Sequence, residues 1–313
     1  MPFYYDFEHP IESLEEDVEK LNARNAQGED VREKLEKLRA RLDEKKRDVY
    51  SNLTAWQKVQ MARHPMRPTV LQILPHVIDD FLELHGDRGF RDDPAVMTGM
   101  GRLGGRTLLM AIQVRGKTTQ ENIRRNFGMP HPEGYRKSLR IFQTAERLAC
   151  PILTLVDTPG AYPGLAAEER GQAEAIARNL LEMSRLNVPI VTVILSEGGS
   201  GGALGLAVAD RVYMLENAVY SVISPEGCAA ILWKDAARAA EAASALKLTA
   251  DELLKLGVID GIVPEPMGGA HRDVITCGKE IRRTLETAFE DLSREPALEL
   301  GKRRRMRFRT FGG

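Results

Sequence analysis

The chain has 313 residues, with 44 Lys and Arg against 45 Asp and Glu, so its formal net charge is −1. A chain with this balance has no net positive charge that would attract a nucleic acid or an anionic membrane as a partner. The longest mostly apolar stretch, residues 188–195, is far shorter than the roughly 20 residues of a membrane-spanning helix.

Three cysteines lie far apart, at positions 150, 228 and 277, and no two of them form a Cys-x-x-Cys pair. A disulfide framework and a four-thiolate zinc site are therefore not expected, and we predict no metal ligands in this chain. The first residues show neither the basic region nor the apolar region of a secretion signal. We therefore expect a cytoplasmic protein.

Residues 11–49 are rich in Glu, Lys and Arg, and their apolar residues are spaced three or four apart. This spacing predicts two amphipathic helices with narrow apolar faces. The segment Asn25–Gly28 interrupts the pattern, so we expect an antiparallel helical hairpin, assigned to residues 1–60. A face this narrow must pack on the main body or on a partner subunit, and the sequence leaves both open.

From about residue 70 the pattern changes. Two strand-like runs, 96–103 and 106–114, flank Gly104-Gly105 and predict a β-hairpin. A basic loop that begins at Arg115 follows the hairpin. Pro132 then suits the first turn of a helix.

Two short buried strands, 151–156 and 189–195, are separated by a helix predicted from about residue 168 to residue 186. This order forms a βαβ unit with parallel strands and a right-handed crossover. A weaker repetition follows, with strands near 211–215 and 219–223 and helices to about residue 289. We interpret the basic tail, residues 296–313, as a solvated end rather than an arm that binds nucleic acid.

The most informative segment is Ser196–Ala203, which follows a buried strand and places four glycines within the five residues 198–202. Glycine lets the backbone approach a ligand closely, and the first turn of a helix has unpaired N–H groups with partial positive charge. We therefore predict a site for negative charge, either a phosphate or an oxyanion that forms during a reaction. The alternative is a tight turn that only packs a helix on the sheet.

The same segment also matches Gly-x-Ser-x-Gly, which would make Ser200 the nucleophile of a serine hydrolase. Such a triad needs a histidine after the serine, and only His271 qualifies. A nucleotide triphosphatase is disfavoured, because Gly116-Lys117-Thr118 lacks the first glycine of a P-loop. An oxyanion hole of backbone amides needs no nucleophile and fits the loop best.

Several longer motifs resemble those of the α subunits of the carboxyltransferase of bacterial acetyl-CoA carboxylase. They follow one another in the right order and cover most of the chain, from residue 7 to about residue 275. The matching segments are 124–130, 132–137, 157–164, 168–172, 197–203, 220–228 and 260–272.

The resemblance implies an α/β fold of the crotonase type, also called ClpP/crotonase-like. This fold is a spiral of repeated ββα units with helices outside, here assigned to residues 61–295 behind the N-terminal helical hairpin. Related Clp-type peptidases place a nucleophile near the same strand-to-helix turn. Ser200 is then a remnant of that geometry rather than a nucleophile.

The resemblance also implies that carboxybiotin, held on biotin carboxyl carrier protein, gives its carboxyl group to acetyl-CoA. The product is malonyl-CoA, in the first committed step of fatty acid synthesis. Carboxybiotin and acetyl-CoA are then substrates, and this chain holds no covalently bound cofactor. The implied partners are a β subunit, in an α2β2 assembly, the carrier protein and biotin carboxylase, whose step makes the whole complex ATP-dependent. Zinc is expected only in the β subunit.

In this family the active site lies between the two subunits, and the α subunit mainly serves the biotin side. Departure of CO₂ from carboxybiotin leaves negative charge on the ureido oxygen, which backbone amides stabilise. The amides expected to act in catalysis are those of Gly201, Gly202 and Ala203. The residues expected to bind substrate are Gly160, Ala161, Gly164, Gly198 and Gly199, of which the first three wall the biotin channel.

Overall fold

One eight-stranded mixed sheet organises residues 3–311, the part of the chain that the computed structural model describes. The strands lie in the order β1-β2-β3-β4-β5-β6-β8, and β7 pairs with the end of β5. Their bounds are β1 Asp79–Glu83, β2 Val96–Leu103, β3 Arg106–Gln113, β4 Ile152–Thr158, β5 Ile190–Gly199, β6 Arg211–Leu215, β7 Val219–Ser221 and β8 Gly261–Val263.

Helices connect and cover these strands. None of the helices within residues 3–311 is long and apolar enough to span a bilayer. Their bounds are α1 His9–Ala26, α2 Arg32–Ser51, α3 Ala55–Ala62, α4 Val70–Ile73, α5 Thr119–Arg124, α6 Pro132–Arg147, α7 Leu165–Glu168, α8 Gln172–Met183, α9 Ser200–Leu204, α10 Pro225–Trp233, α11 Ala239–Leu246, α12 Ala250–Lys255, α13 Val274–Ser293 and α14 Ala297–Arg309.

The predicted β-hairpin is confirmed, with β2 and β3 paired antiparallel from Val96 opposite Gln113 to Leu103 opposite Arg106. Gly104 and Gly105 form its turn with φ values of 54° and 80°. Both values lie in the left-handed region that the two central residues of a tight hairpin turn require, and glycine adopts them without strain.

The predicted βαβ unit is also confirmed. β4 and β5 pair in parallel from Ile152 opposite Ile190, and both strands are almost wholly buried. The helix between them is broken, because Gly171 has a φ of 82° that no α-helix can continue. The turn α7 precedes this break and α8 follows it.

The glycine-rich segment differs from its prediction in one respect. We expected the strand to end near residue 195, but β5 continues to Gly199. Its extra residues are paired on both sides, since Gly198 lies opposite Thr158 of β4 and Tyr220 of β7. β5 therefore leads directly into α9, which begins at the edge of the sheet where the parallel strands β3, β4 and β5 end.

The N-terminal helical hairpin forms as predicted. Glu15 of α1 pairs with Lys46 of α2 at 2.6 Å and with Arg272 of the main body at 3.2 Å. One ion pair, between Glu15 and Arg272, therefore fixes the hairpin to the body. The assignment of separate segments at residues 1–60, 61–295 and 296–313 stays a prediction, and residues 1–2 and 312–313 lie outside the described part.

The basic tail is not a free solvated end, so that expectation was wrong in part: Leu300, Gly301 and Arg304 are buried, while most of the other tail residues are exposed. It forms α14, and the side chain of Arg304 is fully buried. The guanidinium of Arg304 donates to both carboxylate oxygens of Asp210, at 3.0 and 2.7 Å. It also donates to the main-chain oxygens of Met183, Leu186 and Val188. A buried arginine with this many acceptors holds the last helix against the sheet.

We predict that Arg304→Met lowers the free energy of unfolding by about 3–5 kcal/mol, because it leaves the Asp210 carboxylate buried without its partner. Urea denaturation of the full chain measures this change. Arg305→Met is the matched control, since the exposed Arg305 makes one 3.3 Å contact with a main-chain oxygen, and it should cost under about 1 kcal/mol. Equal losses in the two variants would contradict the assignment of Arg304 as a buried anchor.

Candidate active site

The glycine-rich turn after β5 lies directly against the loop that follows β4. A Cβ atom on Gly199 would fall within 3.0 Å of the carbonyl group of Pro159, and one on Gly202 within 3.0 Å of the backbone of Gly160 and Ala161. Real Cβ atoms do not approach other atoms this closely, so only glycine fits at these two positions. The structure thus brings four predicted site residues together, Gly160, Ala161, Gly199 and Gly202.

The first turn of α9 presents backbone donors. In the described part of the chain, the N–H groups of Gly201 and Gly202 have no hydrogen-bond acceptor. They are among the first N–H groups of a helix, which no residue of the helix itself can satisfy. Gly201 is partly exposed, while Gly202 and Ala203 are buried.

Two buried donors fix the orientation of this turn. The carbonyl oxygen of Gly202 accepts hydrogen bonds from Gln113 Nε2 at 2.8 Å and from the Tyr135 hydroxyl at 3.1 Å. Because a trans peptide points its N–H opposite to its carbonyl, the N–H of Ala203 is directed away from these two side chains. The donors are therefore held in place before any ligand binds.

Two predicted substrate-binding residues, Gly164 and Gly198, pack against aromatic rings. Gly198 is buried within β5, where a Cβ atom would lie 2.8 Å from the ring of Tyr220. Gly164 packs closely against the ring of Tyr162, which in turn lies 4.3 Å from the ring of His131. Substrate binding by Gly164 and Gly198 stays a prediction.

A partly buried cluster of charges supports the turn at Glu197. The carboxylate of Glu197 accepts hydrogen bonds from Arg63 Nε and Arg115 Nη2, both at 2.7 Å. Burial opposes its ionisation, but Arg115 and Arg63 outweigh burial, so the pKa of the Glu197 carboxyl falls below its usual value. Glu197 is therefore ionised at neutral pH.

The same two arginines reach the neighbouring loops. Arg115 Nε lies 2.9 Å from Asp157 Oδ1 at the end of β4, and Arg63 Nη1 donates to Glu226 in the first turn of α10 at 2.6 Å. Burial raises the pKa of Asp157, although Arg115 acts in the opposite direction. These ion pairs connect the carboxyl ends of β4 and β5 and the start of α10 into one unit.

The environment of Ser200 does not form a hydrolase triad. Ser200 is exposed, with a left-handed φ of 50°, and it lines a cavity of about 440 Å³ together with Gly201. Within residues 3–311, no histidine or carboxylate lines this cavity. The rest of its wall is mainly apolar and includes Leu204, Val212, Tyr220, Val222, Leu253 and Phe308.

His271, the only candidate base for Ser200, lies elsewhere. Its ring stacks on that of His64 with 4.0 Å between the ring centroids. Burial lowers the pKa of His271 to about 3, and the nearby His64 and Arg272 act in the same direction. His271 is therefore a neutral packing residue at physiological pH.

Residues 4–312 match the sequence model of a family described as acetyl co-enzyme A carboxylase carboxyltransferase-like. The chain belongs to this family. It is 53% identical over 308 residues to an acetyl-coenzyme A carboxylase carboxyl transferase subunit alpha of Thermus thermophilus, and the match covers 98% of both chains. It is 50% identical over 312 residues to the subunit of the same name from Syntrophotalea carbinolica, covering 99% of this chain and 98% of the relative.

Solved structures confirm the fold. Transcarboxylase 12S superposes with a TM-score of 0.59 at 21% identity, over 72% of this chain and 42% of that one. The beta subunit of Pseudomonas aeruginosa geranyl-CoA carboxylase gives 0.58 at 16% identity, over 79% and 46%. These crotonase-like neighbours and the observed α/β architecture confirm the predicted fold class.

The family also confirms the interpretation as a biotin-dependent carboxyltransferase α subunit, and the serine hydrolase alternative is not favoured. This family acts on CoA substrates and carboxybiotin. No group of three or more His, Cys, Asp or Glu side chains among residues 3–311 is arranged to hold a metal ion.

Sequence reasoning missed the side chains that fix the turn. Gln113, Arg115, Asp157 and Glu197 all lie at or just beyond the carboxyl ends of β3, β4 and β5. Neighbouring parallel strands end at the same edge of a sheet, so residues at these strand ends could have been expected to lie close together. Arg63 had no such signal, because it follows the short helix α3, which the sequence analysis did not predict.

We predict that the free energy of unfolding falls by about 1–2 kcal/mol between pH 7 and pH 5 because of His271. The unfolded chain binds a proton at this residue below about pH 6.5, whereas the folded chain does not do so until about pH 3. Urea denaturation at several pH values should show a shallower decrease for His271→Gln. An unchanged pH dependence would contradict the neutral, buried state of this imidazole.

Proposed function

We propose that this chain supplies the carboxybiotin side of a carboxyltransferase site whose acetyl-CoA side is built by a β subunit. The observation that supports this function best is the pair of unpartnered amides of Gly201 and Gly202, held in place by the packing behind them. With the N–H of Ala203, they form the proposed oxyanion hole for the biotin ureido oxygen.

The reaction begins when the bond between the ureido nitrogen and the carboxyl group of carboxybiotin breaks and CO₂ is released. The electron pair moves into the ureido group, and negative charge develops on its oxygen. Donors that are already oriented stabilise this charge without reorganising, and each is typically worth about 10²–10³ in rate. The ureido nitrogen then takes the α-proton of acetyl-CoA, and the enolate carbon attacks CO₂ to give malonyl-CoA.

The charge cluster behind the turn suits this chemistry. An unneutralised carboxylate at Glu197, a few residues before these amides in the chain, would oppose a developing oxyanion there. Arg63 and Arg115 neutralise it through two hydrogen bonds of 2.7 Å each. Glu197 can therefore stay ionised and hold the end of β5 in place without its negative charge raising the energy of the transition state.

Gly160, Ala161 and Gly164 are proposed to wall the path of the biotin arm. Gly160 supports this role, because a Cβ atom there would find no other atom within 4 Å. This open space borders the backbone contact with Gly202. Gly198 and Gly199 are proposed to line the same substrate site from the strand side.

The proposed assembly contains two α and two β chains, with zinc only in the β subunit. The enolate of acetyl-CoA requires a second set of oxyanion donors, which we assign to that subunit. Biotin carboxyl carrier protein delivers the carboxyl group, and biotin carboxylase recharges it with ATP in the cytoplasm. This chain needs no covalently bound cofactor, because carboxybiotin and acetyl-CoA are both substrates.

We predict that Gly202→Ala lowers the rate of malonyl-CoA formation by about 10²–10³ in an assembly that stays intact. The new methyl group would collide with the backbone of Gly160 and Ala161, so the turn must move and its donors must lose their alignment. The rate is measured with acetyl-CoA and carboxylated carrier protein, and sedimentation shows whether the assembly persists. Unchanged transfer in an intact assembly would indicate a scaffold rather than a catalytic subunit.

Two neighbouring variants are controls for that experiment. Gly201→Ala keeps the amide, and its Cβ atom meets only Ile176 at 3.8 Å, so it should cause a much smaller loss. Ser200→Ala removes a hydroxyl but leaves every amide in place, so carboxyl transfer should largely survive. Abolished activity in Ser200→Ala would contradict the amide mechanism and favour a nucleophilic serine.

A further inference from the structure

Two buried side chains converge on one main-chain oxygen behind the glycine turn. Gln113 Nε2 and the Tyr135 hydroxyl both donate to the carbonyl oxygen of Gly202, at 2.8 and 3.1 Å. Among residues 3–311, no main-chain N–H group donates to this oxygen, because the two N–H groups that follow α9 bond to the carbonyls on either side of it. The Gly202 carbonyl is therefore held by side chains rather than by the helix.

Gln113 makes this contact at a cost to the stability of the fold. Its side chain is fully buried, and its Oε1 atom has no hydrogen-bond partner within the described part of the chain. A buried acceptor without a donor is destabilising and requires an explanation. An aliphatic side chain of similar size would fill the same space without this cost. The bond from Nε2 to Gly202 is the use that the structure shows for the amide.

The Gly202 carbonyl and the Ala203 N–H belong to the same peptide group. Resonance links the oxygen of a peptide to its nitrogen, so a hydrogen bond accepted by the oxygen draws electrons away from the nitrogen. The N–H then becomes a stronger donor, and this cooperative effect is larger where the local dielectric constant is low. Gln113 and Tyr135 are both fully buried, so water does not weaken their bonds to the carbonyl.

We infer that Gln113 and Tyr135 are positioning residues that act through the Gly202–Ala203 peptide, where they strengthen the Ala203 N–H as a donor to the biotin ureido oxygen. This inference rests on the proposed function. Neither side chain contacts the substrate. Negative charge arises on the ureido oxygen only as CO₂ leaves, so a stronger donor stabilises the transition state more than bound carboxybiotin. The two residues should therefore affect kcat rather than KM.

Both donors are uncharged, so their effect on the peptide is the same across the physiological pH range. Burial raises the pKa of the Tyr135 hydroxyl well above its ordinary value, and this hydroxyl therefore keeps its proton. The side-chain amide of Gln113 does not titrate. The hydroxyl also remains a donor when its ring is made more acidic by substitution, which permits a direct test.

The test places monofluorotyrosine and difluorotyrosine at position 135 of the full chain, which is then mixed with the partner subunit. Fluorine beside the hydroxyl makes it a stronger donor and changes little else. The kcat of malonyl-CoA formation should rise by about 1.5–3-fold along the series, with an unchanged KM for the carboxylated carrier. Fluorophenylalanine at position 135 is the matched control, because it carries the fluorine without the hydroxyl and should behave like Tyr135→Phe. A kcat that does not respond to fluorination would overturn the inference.

Tyr135→Phe and Gln113→Met each remove one donor and leave the other on the carbonyl. Each should lower kcat by about 3–10-fold, and the double variant by more than the product of the two, because only it leaves the oxygen without a donor. Asn179→Leu is the control, since Asn179 donates to the Gly205 carbonyl at 3.1 Å, in a peptide that carries none of the proposed donors. It should lower kcat by less than about 2-fold. Equal losses in Asn179→Leu and Gln113→Met would overturn the inference.

The amide proton of Ala203 gives a measurement that does not depend on catalysis. In the full chain labelled with isotopic alanine, its NMR signal should move downfield with monofluorotyrosine at position 135 and upfield in Tyr135→Phe. An Ala203 signal that stays in place in both would overturn the inference. This measurement separates the inference from the proposed function. If the signal moves but the wild-type assembly forms no malonyl-CoA, the polarised peptide stands and the assigned reaction fails.

Discussion

The close contact between two stretches of backbone, at the ends of β4 and β5, is the constraint on which the rest of the site depends. Gly199 and Gly202 touch the segment Pro159–Ala161 so closely that no side chain fits between them. The contact places the start of α9 where its first N–H groups point outward without acceptors. It also joins the glycine-rich turn to the loop that we propose for the biotin path, so neither can move alone.

Rigidity at this contact comes from the groups packed behind it. Gln113 at the end of β3 and Tyr135 of α6 hold the Gly202 carbonyl, and the two arginines around Glu197 hold the end of β5. An oxyanion hole is effective because its donors need not reorganise as charge develops. In the proposed mechanism these polar groups act by fixing the turn, and none of them is assigned a contact with substrate.

Local patterns in the sequence predicted the elements whose conformation is set by residues close together in the chain. The hairpin follows from Gly104-Gly105 between two strand-like runs, and the βαβ unit follows from two apolar runs flanking a helix. Contacts between distant residues were not predictable in the same way. Arg304 lies among four consecutive basic residues, and its burial depends on Asp210, 94 positions away. The ion pair between Arg63 and Glu197 spans 134 positions, so no spacing rule in the sequence could indicate it. The glycine-rich turn with its unpartnered amides was predictable because a glycine cluster between a strand and a helix is itself a local signal.

The central claim is that this chain holds one half of a shared carboxyltransferase site. The most direct test measures malonyl-CoA formation from acetyl-CoA and carboxylated carrier protein with this chain alone, with the partner subunit alone, and with both together. The account predicts product only from the mixture. Product from this chain alone would show that it contains both sets of oxyanion donors, and an assembled mixture without product would contradict carboxyl transfer itself.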